Sequence, residues 1–227
     1  MINENKINIT AHAGCMGTEM DSIEAVEEGI KYGADIIEID LNIDSNGNLV
    51  LCHDKPKEFE KYLRLEEVLE IIKREEAVLL NIDVKDAKVL DKLNSIILDF
   101  SAENKVFFTG LDYKCIIDNK KILEGTNYFI NLGIPKLNIT RLRDKEYLVG
   151  LLDELESLNI MGININYRFV TSELINACKE RKMMSSVWTV DDNENMKRMI
   201  ALEVNSITTK RVDVLKNLIS EIKDDRG

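Results

Sequence analysis

Ala34-Asp35-Ile36-Ile37-Glu38-Ile39-Asp40-Leu41 reads as a strand whose side chains alternate between two faces, so Glu38 and Asp40 share one face while Ile37, Ile39 and Leu41 share the other. Upstream, Met20 to Lys31 carries Ile23, Val26 and Ile30 at helical spacing, with Gly33 placed to stop the helix. Before that helix, the short apolar run Ile7-Asn8-Ile9-Thr10-Ala11 ends at His12. Downstream, Asn46-Gly47 turns the chain into Leu49-Val50-Leu51-Cys52, a short neighbouring strand or an extension folded back at the mouth, and this run ends at His53. Strand, helix and strand in that order make a parallel pair joined by a right-handed crossover.

The alternation continues through the chain. The pattern predicts helix 65–75, strand 77–84, helix 87–100, strand 105–109, helix 111–122 and a strand from Tyr128 to Leu132. It then predicts helix 144–158, strand 160–165, helix 171–182, strand 184–190, helix 192–202, strand 204–208 and helix 211–223. About eight strand-helix units in 227 residues fit a closed α/β barrel, the (β/α)8 TIM barrel, better than an open sheet. No low-complexity segment or composition shift marks a boundary, so 1–227 is expected to be a single domain with a short β-α insertion after the second strand.

Composition restricts the partners. A formal net charge of -11 disfavours nucleic acid and anionic membranes, which require a basic face. It also means that an anionic substrate needs a local positive centre. The four cysteines, at 15, 52, 115 and 178, have no paired spacing and point to a reducing compartment. The first residues lack the pattern of a signal peptide and no apolar run approaches the length of a membrane span, so a cytoplasmic location without stable membrane association is expected.

The chemistry-bearing residues gather at predicted C-terminal strand ends. His12 and His53, the only histidines, are joined there by Glu38 and Asp40, and by Asp83 and Lys85, which share a face in Asn81-Ile82-Asp83-Val84-Lys85. Three carboxylates converging in a barrel mouth repel one another unless a cation sits among them, and carboxylate oxygens suit a hard ion such as Mg2+ or Ca2+. Two imidazoles beside such an ion make a general acid and base pair. Taken singly, each residue also has a plain structural reading as a rim salt bridge, a helix cap or a satisfied polar group.

Ala11-His12-Ala13-Gly14, the stretch from Gly33 to Leu41, and Gly47-Asn48-Leu49-Val50-Leu51-Cys52-His53-Asp54 together resemble the N-terminal signature of the glycerophosphodiester phosphodiesterases. The likeness resumes at 65–69 and 80–85, and at Val187-Trp188-Thr189-Val190-Asp191-Asp192 running on to Ile207-Thr208-Thr209. The resemblance implies a TIM barrel that uses one divalent cation to hydrolyse a small-molecule phosphodiester to glycerol 3-phosphate and an alcohol, a reaction of lipid metabolism. By position, His12 and His53 would be the acid/base pair, Glu38, Asp40 and Asp83 the metal ligands, Lys85 a phosphate contact and Trp188 an apolar wall beside the glycerol. The glycerol 2-hydroxyl would attack phosphorus.

Four departures accompany the matches. Ala13 stands where the family usually has an arginine that grips phosphate, and Lys55 or Lys57 is a candidate replacement. Asp83 stands where glutamate is usual, and Asp21, in the loop before the first helix, aligns with another usual glutamate but could equally be an N-cap. The segment after His53 is cut down to Lys55–Arg64, which should leave an open mouth. Two alternatives therefore stand beside hydrolysis: a lyase-like relative that makes a cyclic phosphate, and a degenerate barrel that binds a phosphorylated ligand without turnover.

Overall fold

The computed structural model describes residues 2–133 and 138–224. Its nine strands are β1 (Asn8–Ala11), β2 (Ile36–Ile43), β3 (Leu49–Leu51), β4 (Leu79–Val84), β5 (Val106–Leu111), β6 (Tyr128–Leu132), β7 (Gly162–Asn166), β8 (Met184–Trp188) and β9 (Ser206–Thr209). Eight of them run parallel in the order β1, β9, β8, β7, β6, β5, β4, β2, and a β1–β2 pairing closes the ring. The ninth, β3, is an antiparallel appendage on β2, with Leu41 opposite Leu51 and Ile43 opposite Leu49. This is the predicted TIM barrel with its insertion after the second barrel strand.

The outer layer consists of α1 (Ile23–Lys31), α2 (Leu65–Arg74), α3 (Leu90–Asp99), α4 (Tyr113–Asp118), α5 (Lys145–Glu156), α6 (Ser172–Glu180), α7 (Asn193–Ala201) and α8 (Val212–Asp224). Each forms because its apolar residues recur every three or four positions and can be buried against the sheet. On α2, Leu65, Val68, Leu69 and Ile72 are buried, and the Glu67 side chain accepts the Arg64 backbone N–H at 3.0 Å at the helix start. Barrel residues Ile37, Ile39 and Leu41 point outward into this apolar layer, as their alternation required.

Most helices are shorter than their periodicity suggests, and three show why. α1 starts at Ile23 rather than at Met20, because Ser22 caps it by accepting the Ala25 N–H. The 87–100 segment opens as a 3-10 turn over Ala87–Val89 before α3 begins. α4 ends at Asp118, where Asn119 leaves helical geometry.

Inside the barrel the side chains form layers that change character from bottom to top. Ile36, Phe107, Phe129 and Met184 fill the N-terminal end, and Ile2 packs against them as a plug. The Phe107 and Phe129 rings lie 5.6 Å apart at a tilt of 58°. One layer further along the barrel, all eight strands contribute a polar residue: Thr10, Glu38, Asn81, Thr109, Asn131, Asn164, Ser186 and Thr208. A packed barrel core is normally filled with branched aliphatics. Here the polar layer is the floor of a cavity, and His12, Asp40, Asp83 and Lys85 stand above it.

Candidate active site

His12, Glu38, Asp40, His53, Asp83, Lys85 and Trp188 all line one cavity of about 230 Å3 at the C-terminal mouth of the barrel. Each arrives there by strand geometry. Glu38 and Asp40 are alternate residues of β2, and the register sets Asp40 beside Asp83 and Glu38 beside Asn81 on β4. His12 immediately follows β1, and its backbone N–H donates to Thr209 O on β9 at 3.0 Å. The antiparallel β3 carries the chain back to the mouth and sets His53 at its edge.

Glu38 and Asp40 are buried and Asp83 nearly so, yet one oxygen from each can be chosen so that all three lie within 4.8 Å of one another. Burial raises the Glu38 carboxyl well above its ordinary pKa, and the neighbouring Asp40 and Asp83 charges add to it. The Ala13 backbone N–H, donating to Glu38 Oε2 at 2.9 Å, opposes that rise. Lys85 Nζ stands 2.9 Å from Asp40 Oδ1 and also bonds Asp83 Oδ2. Although burial disfavours its charge, the two carboxylates raise the Lys85 pKa and keep it an ammonium. The Thr109 hydroxyl is within reach of Asp83 Oδ1 at 3.0 Å and Asn81 Oδ1 at 2.9 Å. Three hard oxygen donors, crowded in a buried site with one ammonium to balance them, fit a divalent cation.

The two imidazoles differ. His12 is largely buried, and burial lowers its pKa, with the Lys210 charge adding to the effect against Asp40 and Asp191. The Gly14 N–H donates to His12 Nδ1 at 3.3 Å, a bond that only a ring unprotonated at that nitrogen can accept. His53 is open to solvent and has Asp54 Oδ1 at 3.0 Å from its Nδ1. Because a carboxylate only accepts, that contact calls for the proton on Nδ1.

Some participants carry little sequence signal. Asp21 is not an N-cap: its Oδ1 accepts the Asp40 N–H at 3.0 Å and its own N–H donates to Ala13 O at 2.9 Å, tying the β1 and β2 ends together. It adopts a left-handed backbone with φ of 55°. Burial, aided by Asp40, pushes its carboxyl up to about 7. Asn131 and Asn164 line the cavity, joined by an Asn164 Nδ2 to Asn131 Oδ1 bond of 3.0 Å. Their inward positions follow from strand alternation, but lone asparagines have no spacing that marks them. Lys57 pairs with Glu60 and, with Lys55, lines a separate outer cleft rather than this cavity.

Residues 56–214 match the model of the glycerophosphoryl diester phosphodiesterase family. The chain belongs to this family. The matched stretch opens just beyond His53 and takes in Asp83, Lys85 and Trp188. A glycerophosphodiester phosphodiesterase of Caldanaerobacter subterraneus is 26% identical over 254 residues, covering 94% of this chain and 98% of that one. Another, of Bacillus altitudinis, is 23% identical over 252 residues and covers 95% and 99%. The crystal structure of a glycerophosphodiester phosphodiesterase from Parabacteroides distasonis has the same fold, with a TM-score of 0.79 at 19% identity over 96% of this chain and 98% of that one. So does an Oleispira antarctica phosphodiesterase solved with the product sn-glycerol-3-phosphate, at a TM-score of 0.78 and 15% identity over 95% and 98%. As a member of the glycerophosphoryl diester phosphodiesterase family, the chain is a phosphodiesterase, and its acidic cluster could bind a metal. Among the described residues no helix is long and apolar enough to cross a membrane.

Proposed function

We propose that the protein hydrolyses glycerophosphodiesters to glycerol 3-phosphate and an alcohol, with His12 and His53 moving the protons and Glu38, Asp40 and Asp83 holding Mg2+ or Ca2+. The observation that carries this reading is the convergence of all five side chains on one cavity in a chain of this family. A cation held there would neutralise phosphoryl oxygen charge.

The remaining chemistry belongs to the chain itself. His12, kept neutral by burial, takes the proton of the glycerol 2-hydroxyl as that oxygen attacks phosphorus. The bond from phosphorus to the alcohol oxygen breaks, and His53 Nε2 delivers a proton to the departing oxygen. His53 suits that role because it borders both the inner cavity and an outer cleft of about 650 Å3, into which the alcohol can leave. Water then opens the cyclic ester with the two proton roles reversed, and glycerol 3-phosphate is released. Trp188, at the end of β8, forms an apolar wall against the glycerol carbons.

Phosphorus NMR of the purified protein with Mg2+ or Ca2+ and a panel of glycerophosphodiesters tests this directly. Glycerol 3-phosphate should accumulate and chelation should stop it, whereas a cyclic ester that persists would make the protein a lyase. His12→Ala and His53→Ala should each lower turnover by at least a hundredfold, within the usual range for a positioned proton-transfer group, while metal affinity stays nearly intact. A variant that keeps a near-normal rate removes that histidine from the mechanism.

A further inference from the structure

We propose that Lys210 supplies a direct cationic contact to the phosphate group of the substrate. The inference rests on the phosphodiesterase reading above.

An anionic substrate entering a chain of net charge -11 needs positive charge at the phosphate, and among the described residues Lys85 is the one lysine that lines the inner cavity. Lys85 is held between Asp40 and Asp83. Lys57 is paired with Glu60, and Lys55, Lys57 and Lys61 all belong to the outer cleft. Position 13, next to the buried histidine, offers only a buried methyl group.

Lys210 stands at the rim beside His12, just outside the residues that line the inner cavity, so its side chain would reach the phosphate from above. In the β1–β9 register Ala11 pairs with Thr209, and the His12 N–H donates to Thr209 O at 3.0 Å, so His12 and Lys210 directly follow two paired strand ends. Its backbone is fixed from both sides: its N–H donates to Asp191 Oδ1 at 2.7 Å, and its carbonyl accepts the Met16 N–H at 2.7 Å. Asp191 Oδ1 also faces the Thr209 hydroxyl at 3.2 Å, so this oxygen is engaged by neutral donors. Among the described residues the Lys210 ammonium makes no ion pair, and it is exposed. Its charge nonetheless acts on the His12 ring more strongly than that of Lys85 does. An anchored backbone at the cavity rim thus carries an ammonium with no ion pair, close enough to act on the His12 ring and available to an anion bound there.

Inorganic phosphate and glycerol 3-phosphate, used as competitive inhibitors of the full chain with Mg2+ present, test the assignment. Lys210→Met should weaken both by about tenfold or more, the usual loss for one charge-assisted contact, and raise KM for the diester by a similar factor. Lys210→Arg should stay within about threefold of the wild type, since a guanidinium also grips phosphate. Lys55→Met, which removes the same charge from the outer cleft, should stay within about twofold because exposed charges at a distance are screened. Wild-type protein that binds both anions while Lys210→Met binds them equally well overturns the inference alone. So does a Lys55→Met loss as large as that of Lys210→Met, which would mark a diffuse field rather than a contact. Wild-type protein that binds neither anion and turns over no diester overturns the functional reading and this inference together.

Discussion

Two histidines with one name are two different reagents here because of where the chain puts them. His12 is enclosed and its pKa is lowered from 6.5, first by burial and then by Lys210. The neutral ring therefore persists to lower pH than in a free imidazole, and the base form is lost only as pH falls through that lowered value. The acid limb of kcat/KM for a glycerophosphodiester should accordingly fall below pH 6.5; a limb centred above it would belong to another group. Lys85 yields a second expectation. Its ammonium already neutralises part of the Asp40 and Asp83 charge, so a divalent cation and Lys85 compete for the same oxygens. Lys85→Met should bind Ca2+ more tightly by calorimetric titration, yet unfold at a lower temperature in chelator, where three buried carboxylates repel one another unrelieved. Equal or weaker Ca2+ binding would mean that Lys85 does not compete with the ion. At this scale the sequence exposed the charged residues well, since histidine and E-x-D at strand ends are rare coincidences. It exposed neutral residues poorly: Asn131 and Asn164 have no partner motif, and Asp21 acts through a hydrogen bond to a backbone amide that no spacing encodes.

Elements were legible wherever alternation was clean, and least so where a residue leaves its repeat for the sake of the site. The sequence pattern runs α1 back to Met20, but residues 18–22 instead form the loop that brings Asp21 to Asp40. A similar interruption occurs in β5, where the register with β6 slips between Phe108 and Leu111. Gly110 sits in that irregularity with φ of 80°, and its N–H donates to Asn131 Oδ1 at 3.0 Å. A Cβ at Gly110 would stand 2.4 Å from Val84 O and 2.8 Å from Asp83 Oδ1. No flexible side chain can yield to relieve the first contact, because it is backbone. Gly110→Ala should therefore destabilise the protein by about 2 kcal/mol or more, combining overpacking with a left-handed backbone strained for alanine. It should also lower divalent-cation affinity by displacing Asp83. Denaturant unfolding and a Ca2+ titration measure the two effects, and normal values for both would show that the bulge can relax without cost. Irregularities of this kind recur beside active sites because they re-aim a side chain that a regular strand would misplace.

The whole molecule divides its labour along the barrel axis: an apolar plug at one end, a polar floor in the middle, and charge at the mouth. Strand count and parallel order followed from alternation and ring closure from the number of units, but the β1–β9 and β1–β2 registers that close it did not, because no local pattern records those contacts. The two cavities likewise became visible only once the ring was closed. Their sizes separate the parts of the substrate. The inner cavity, about 230 Å3 and lined by every proposed catalytic and metal-binding side chain, has room for glycerol phosphate, whereas the outer cleft of about 650 Å3 is open and carries charges of both signs. A cleft of that kind makes no shape-specific demand on the alcohol, while the inner cavity must fix the 2-hydroxyl for attack. Exchanging the alcohol among glycerol, ethanolamine, choline and inositol should thus change kcat/KM by less than about tenfold, within what a few weak, solvent-exposed contacts can supply. A diester lacking the glycerol 2-hydroxyl should bind and block the site but not turn over. Steady-state kinetics across these five compounds decides the point: a hundredfold preference for one alcohol would require a specific pocket in the cleft, and turnover of the 2-deoxy compound would replace internal attack by attack of water.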